Sequence, residues 1–376
     1  MTRRSLSALT ALLILYACGS ESGDGPDDSA DTGRDTSLDA GTEDTSVPDA
    51  NAPDAGSLDA SSSEDAAPDV EQDTGAPEKT FLADYPLEVE HAESGTYDPV
   101  DHVFYVGSLV TGGVTRVDAR TGAAETFYTE DLPGEWWTLG MDVDVEGRRL
   151  MVCSMSDLRE TAGEGEPDNL GYILEFDLDS GALTRRYDLG EVFETANCAD
   201  VAFADSGDAY VADRAHPNIY RITPDGALSL FASGEPLNGD VVGQNAIIVL
   251  PDQSALLSIV YLPSRLAHVR LDDATVTEVQ IDGDFFDFIP PLSGADGLAW
   301  SGDSALVAFT SQLNRITPTS PDWSTASSES VDVEVGMTDV VHTPAGDYLL
   351  NGQAFEFAIG AETDPTALTR FDGEFE

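Results

Sequence analysis

Apolar and polar residues alternate with period two through most of residues 80–376, and no 3.6-residue helical period is sustained there. One short phrase recurs: VTRVD (114–118), ILEFD (173–177), IYRIT (219–223), HVRLD (268–272), LNRIT (313–317) and LTRFD (368–372). Each reads as a half-buried strand. Their central residues, Arg116, Glu175, Arg221, Arg270, Arg315 and Arg370, follow one another at intervals of 45 to 59 residues. A repeat of this length, built only of strands, marks a β-propeller. Six copies predict an all-β protein with six blades.

The other strands fall around the phrase. Upstream of each copy lies a strand pair with a polar or glycine-containing turn, as in GTYDPVDHVFYVG (95–107) and DVAFADSGDAYVA (200–212). Downstream usually comes a fourth strand, such as AAETFYT (123–129) or ALSLFAS (227–233). The last repeat has no room for one, because only GEFE follows LTRFD. TFLADYPLEV (80–89) precedes the first repeat without a partner of its own, so it is expected to complete the last blade. Closing the ring in this way removes the free sheet edges of an open array.

The first 79 residues are of a different kind. MTRRSLSALTALLILYACGS opens with Arg3 and Arg4, continues with an apolar run from Ala8 to Tyr16, and reaches Cys18. The run falls far below the roughly 20 residues of a membrane-spanning helix, so it reads as an export signal. The cysteine at its exit resembles the lipobox of bacterial lipoproteins. That resemblance implies acylation of Cys18 and anchoring in the cell envelope, and Gly19 after it points to the outer membrane. Residues 19–79 hold eighteen acidic residues against Arg34 and Lys79, and no aromatic. Such a stretch buries too little apolar surface to offset its ordering entropy, and is expected to be a disordered acidic linker.

Charge narrows the partners. Residues 80–376 still carry 53 acidic and 13 basic side chains, which argues against nucleic acid or an anionic membrane face as partner. The membrane expectation is therefore limited to the lipid anchor, and the expected assembly is a monomer. Cys153 and Cys198 are the remaining cysteines, and composition leaves a disulfide and two buried thiols equally open.

In a propeller the first strand of each blade lines the central channel, so its starting residues converge at one mouth. In blade order these are Glu93, then Met141 or Asp142, Ala199-Asp200, Asn245, Asp296 and Thr338-Asp339. AESGTYDP (92–99), VVGQNAIIVLPDQSALL (241–257), GADGLAW (294–300) and GDYLLNGQAF (346–355) together resemble the family of senescence marker protein, gluconolactonase and luciferin-regenerating enzyme. The resemblance spans essentially all of residues 80–376. It implies a six-bladed propeller with one divalent cation, calcium foremost, in the axial pocket, and hydrolysis of a small molecule such as a lactone. By that pattern Glu93, Asn245 and Asp296 are the metal ligands, and Asp296 is also the catalytic base. Carboxylate and amide oxygens suit a hard cation, which lowers the pKa of a bound water and polarises a carbonyl.

One position departs from the pattern. The asparagine that family members place before the third-blade aspartate is Ala199 in NCADVAF (197–203). Asp200 and Asn197 are the neighbours able to compensate, and both are candidate substrate contacts. His216 is either a surface imidazole or an aid to proton transfer, and Trp136 either inter-blade packing or a pocket floor. Two long loops, 154–169 and 351–365, are expected to overhang the pocket. The chain has no phosphate-cradling glycine loop and no G-x-S-x-G nucleophile. Two functions stay open: a metal-dependent lactonase-type hydrolase, and a non-catalytic propeller that binds a ligand or surface protein.

Overall fold

The computed structural model describes residues 80–131, 136–156, 171–239, 242–283, 285, 294–333, 336–353 and 365–375. The export signal, Cys18 and the acidic linker lie outside these residues, as do most of the loops 154–169 and 351–365. Among the described residues twenty-five strands form six sheets, antiparallel except for one added edge strand, and the six recurring phrases supply the third strand of each blade. A short 3-10 turn, Leu189–Glu191, connects blades two and three.

The inner strands are Ala92–Asp98, Trp136–Asp144, Cys198–Phe203, Val242–Val249, Leu298–Ser301 and Met337–Thr343, in blade order. The strands next to them are the most apolar. VFYVGS (Val103–Ser108) and SALVAF (Ser304–Phe309) are buried at every position. Outer strands such as Ala124–Tyr128 are exposed to half-buried. This gradient has a packing cause. Blades stack face to face, so middle strands meet apolar side chains on both faces, while outer strands meet water. Six separate apolar clusters result, one at each seam between neighbouring blades. Met151, Ile173, Val211 and Tyr220 sit between blades two and three, for example, and Leu257, Ile259, Val307 and Ile316 between four and five.

The ring closes as the sequence predicts. Asp84–Pro86 pairs antiparallel with Ala367–Arg370, Tyr85 standing opposite Leu368. The flanking bonds, Arg370 N to Ala83 O and Leu87 N to Thr366 O, extend the pairing past Pro86. Tyr85 is wholly buried at the seam of blades six and one, with its ring 5.0 Å from Phe104 and 5.6 Å from Tyr348. Its hydroxyl donates to the Ala119 carbonyl. Blade five carries an addition that the period did not reveal: Gln280–Gly283 runs parallel to Thr325–Asp332 on its outer edge.

Candidate functional site

Each inner strand carries one irregularity at the channel mouth. Pairing with the next strand slips between Ala92 and Gly95, Thr138 and Met141, Cys198 and Asp200, Gln244 and Ala246, and Met337 and Asp339. In blade five Asp296 N and Gly297 O bracket Ala308 in the same way. An extra residue in one strand bends it and turns a side chain away from the ladder. Here the bulges turn two residues per blade into an axial pocket of about 290 Å³ including its open mouth.

The twelve lining residues form two tiers. The upper tier reads Glu93, Leu139, Ala199, Asn245, Asp296 and Thr338 around the ring. The lower tier reads Ser94, Gly140, Asp200, Ala246, Gly297 and Asp339. The upper tier is divided: blades four, five, six and one present polar groups, and blades two and three present Leu139 and Ala199. The lower tier repeats small, glycine, aspartate twice, so blades one to three and four to six stand in approximate two-fold relation.

That repeat has a steric reason. Asp200 spans to the next blade, accepting from Val201 N at 2.8 Å and from Ile247 N at 2.9 Å. Asp339 does the same, accepting from Val340 N at 2.8 Å, Gly95 N at 3.0 Å and the Ser94 hydroxyl at 2.9 Å. A Cβ on Gly140 would collide with Asp200 Oδ1, and one on Gly297 with Asp339 Oδ1. Asp142, one layer deeper, bridges to Phe203 N at 2.9 Å. The lower carboxylates thus fasten neighbouring blades.

The upper carboxylates are differently placed. Asn245 donates its amide to Asp296 Oδ1 at 2.5 Å and to the Asp296 carbonyl at 3.3 Å, which leaves the amide oxygen free of that contact. Glu93 keeps partial contact with solvent, yet its Oε2 is fully enclosed and accepts no hydrogen bond. Burial raises Glu93 to about 7, with the Arg214 charge opposing and Asp339 adding to the rise. Asp296 is pushed well above the usual carboxylate range by burial and by the Glu93 and Asp339 charges, against Arg214 and the Asn245 bond. Burial also raises Asp142 and Asp339 to about 6, and Asp200 more strongly.

The structure therefore gathers Glu93, Asn245, Asp296 and Asp200 in one pocket and leaves three candidates outside its lining. Trp136 packs 5.6 Å from Tyr172 and is buried away from the axis. His216 bonds the Thr195 hydroxyl at 2.7 Å and lies 4.4 Å from the Phe193 ring. Asn197 is buried behind the bulge, where its N–H donates to Asp213 and its Oδ1 has no partner. Blade two enters the pocket through Leu139 and Gly140, two residues earlier than expected. Sequence reasoning missed this because the bulge position has no local signature. Arg214 and the deeper role of Asp142 were missed for the same reason: both follow from neighbouring blades.

The donor set fits a hard cation. It offers two carboxylates and an amide oxygen, and the enclosed Oε2 of Glu93 is satisfied by no protein group, whereas the Thr338 hydroxyl is spent on the Ala92 carbonyl at 3.0 Å. Among the described residues, no three His, Cys, Asp or Glu side chains close on one point as a ready-made metal cluster.

No family model and no curated protein matches this chain. Solved structures do match. The major allergen Mala s 1 of Malassezia sympodialis superposes with a TM-score of 0.64 at 17% identity, over 79% of this chain and 98% of that one. A streptogramin B lyase gives 0.51 at 12% identity, over 77% and 87%. The PQQ-bound aldose sugar dehydrogenase of Streptomyces coelicolor gives 0.51 at 17% identity, over 77% and 96%. At these identities the likeness is one of fold. These neighbours include propeller enzymes, a lyase and a dehydrogenase among them.

Proposed function

We propose that this protein is a metal-dependent hydrolase of the gluconolactonase type, exported and held in the cell envelope by a lipid on Cys18. The observation that carries the reading is the enclosed, unpartnered Oε2 of Glu93 in a pocket shared with Asn245 and Asp296. Leaving a buried carboxylate oxygen unsatisfied costs on the order of 1–3 kcal/mol or more, and a bound cation removes that cost. Glu93, Asn245 and Asp296 would hold the ion, calcium foremost. When bound, the ion supplies Lewis-acid polarisation of a carbonyl and acidification of water.

The side chains divide the remaining work. Asn245 fixes the orientation of Asp296 through its amide. Asp296, made more basic than an ordinary aspartate by burial and the neighbouring carboxylates, is suited to take a proton from an attacking water and return it to the leaving oxygen. Leu139 and Ala199 give the substrate an apolar wall. A lactone is the simplest substrate class for such a site, and hydrolysis of a lactone panel that disappears in Asp296→Asn tests the reading.

A second reading has its own support. Ala199 and Leu139 leave a third of the upper tier without a hydrogen-bonding group. That favours a non-catalytic propeller which binds a ligand or surface protein at the same mouth. Ligand binding that survives Asp296→Asn, with no turnover by the unaltered chain, would select it.

A further inference from the structure

The axial pocket is polar on one side and apolar on the other, and the two sides differ in what they leave for a ligand. Its lining holds three neutral side chains that can donate a hydrogen bond, and each is already spent. The Ser94 hydroxyl donates to Asp339 at 2.9 Å, the Thr338 hydroxyl to the Ala92 carbonyl at 3.0 Å, and the Asn245 amide to Asp296. The oxygens of Glu93, Asn245 and Asp296 are those given to the cation above.

Blades two and three offer a ligand no polar side chain at the upper tier. Leu139 and Ala199 stand there, both buried. Leu139 continues into the apolar seam of blades two and three, with Met155 and Cys198. Ala199 continues into the seam of blades three and four, with Ala212 and Ile247. Leu139 lies three blades from Asp296 in a ring of six, and so across the axis from it. Below this wall Gly140 has no side chain, and Asp200 spends one oxygen on Val201 N and the other on Ile247 N. A substrate hydroxyl pressed against the wall loses its water and gains no partner there. A methylene in the same place gains by leaving water. A negatively charged substituent is opposed by the carboxyl groups of Glu93, Asp200, Asp296 and Asp339.

We propose that the substrate is a neutral lactone with a short alkyl substituent, its carbonyl on the side of Asn245, Asp296 and Glu93 and its alkyl group against Leu139 and Ala199. The inference rests on the hydrolase reading and names the substrate class for that site. It sets this pocket apart from one built for polyhydroxylated sugar lactones. In the reaction a water oxygen bonds to the lactone carbonyl carbon, and the ring bond from that carbon to oxygen breaks. One water proton ends on the ring oxygen, which becomes an alcohol. The other leaves as the new acid ionises, so no oxidant or reductant is required.

Hydrolysis of three six-membered lactones by the full chain with calcium tests this. They are δ-valerolactone without a substituent, δ-octalactone with a propyl group, and glucono-δ-lactone with hydroxyl groups, each rate taken above the uncatalysed reaction. δ-Octalactone is expected to exceed each of the others in kcat/KM by about tenfold or more. Leu139→Asn is expected to reduce its advantage over δ-valerolactone by about tenfold. A loss of folded protein lowers both rates alike and leaves that ratio unmoved. An advantage unchanged in Leu139→Asn overturns the wall. Faster hydrolysis of glucono-δ-lactone overturns the inference and leaves the hydrolase reading intact. If no lactone is hydrolysed, the hydrolase reading falls, and calorimetric binding decides the rest. δ-Octalactone bound more tightly than δ-valerolactone, and less so in Leu139→Asn, then upholds the wall, whereas equal or absent binding overturns it. Leu139 also fills a seam, so where Leu139→Asn fails to fold, Ala199→Ser adds one hydroxyl to the wall and is read by the same ratio.

Discussion

Gly297 has no side chain where Asp339 Oδ1 occupies the space, and Asp339 uses that space to reach the backbone of blade one. Gly140 stands in the same relation to Asp200. These two contacts tie a residue choice in one blade to a carboxylate in the next. Gly297→Ala is therefore expected to displace Asp339 and cost about 1–3 kcal/mol. A fall in Tm of roughly 5 °C checks it. An alanine tolerated without loss would mean that the staple is not needed.

Tyr85 fills the closing seam. Tyr85→Ala is expected to cost about 3–5 kcal/mol, since a large buried side chain leaves a cavity. Tyr85→Phe keeps the ring and loses the two bonds of the hydroxyl, to the Ala119 carbonyl and from Leu82 N–H, about 1 kcal/mol each. Denaturant unfolding of both variants separates packing from hydrogen bonding.

The buried carboxyls set an unusual pH dependence. Burial raises Asp142 to about 6, so the folded state binds a proton that the unfolded state, near 4, has lost. Stability must then rise as pH falls from above 6 towards 4. Exposed Asp322, lowered to about 2 mainly by hydrogen bonds from the Ser324 hydroxyl and backbone, works the other way, and its contribution disappears below about pH 4. In calcium-free buffer Tm is expected to peak between pH 4 and 6. Lower net charge adds to the rise, but that part is screened by salt. A slope from pH 8 to 6 that survives 0.5 M salt belongs to the buried groups, and a flat profile there would contradict their burial.

Cys153 and Cys198 are buried free thiols at the seam of blades two and three, and Cys198 Sγ donates to the Tyr172 carbonyl at 3.4 Å. Burial and the neighbouring Cys198 thiol raise Cys153 well above its ordinary value, which suppresses the reactive thiolate. Neither should react with a thiol reagent in the folded chain, and both should react once guanidinium unfolds it. Rapid labelling of the native protein would show that the seam opens.

Much of this was legible beforehand. VTRVD and its five relatives announce the blades because a half-buried strand must alternate, and TFLADYPLEV, a strand pattern without a partner of its own, announces the closing strand. Glu93, Asn245 and Asp296 converge as expected, because strand starts are fixed by the turns around them. What stayed hidden depends on contacts between blades. Leu139 and Gly140 take the mouth in place of Met141 because the bulge between Thr138 and Met141 falls there. Trp136 and His216 pack against Tyr172 and Phe193, partners that no local pattern predicts.

The most direct test of the account is a calorimetric calcium titration of the chelator-stripped full chain beside its Asp296→Asn variant. The account predicts one tight site above the weak binding of the acidic surface, present in the first protein and lost in the second. Weak binding that is equal in both would contradict it, and would leave the axial pocket as a binding mouth without a metal centre.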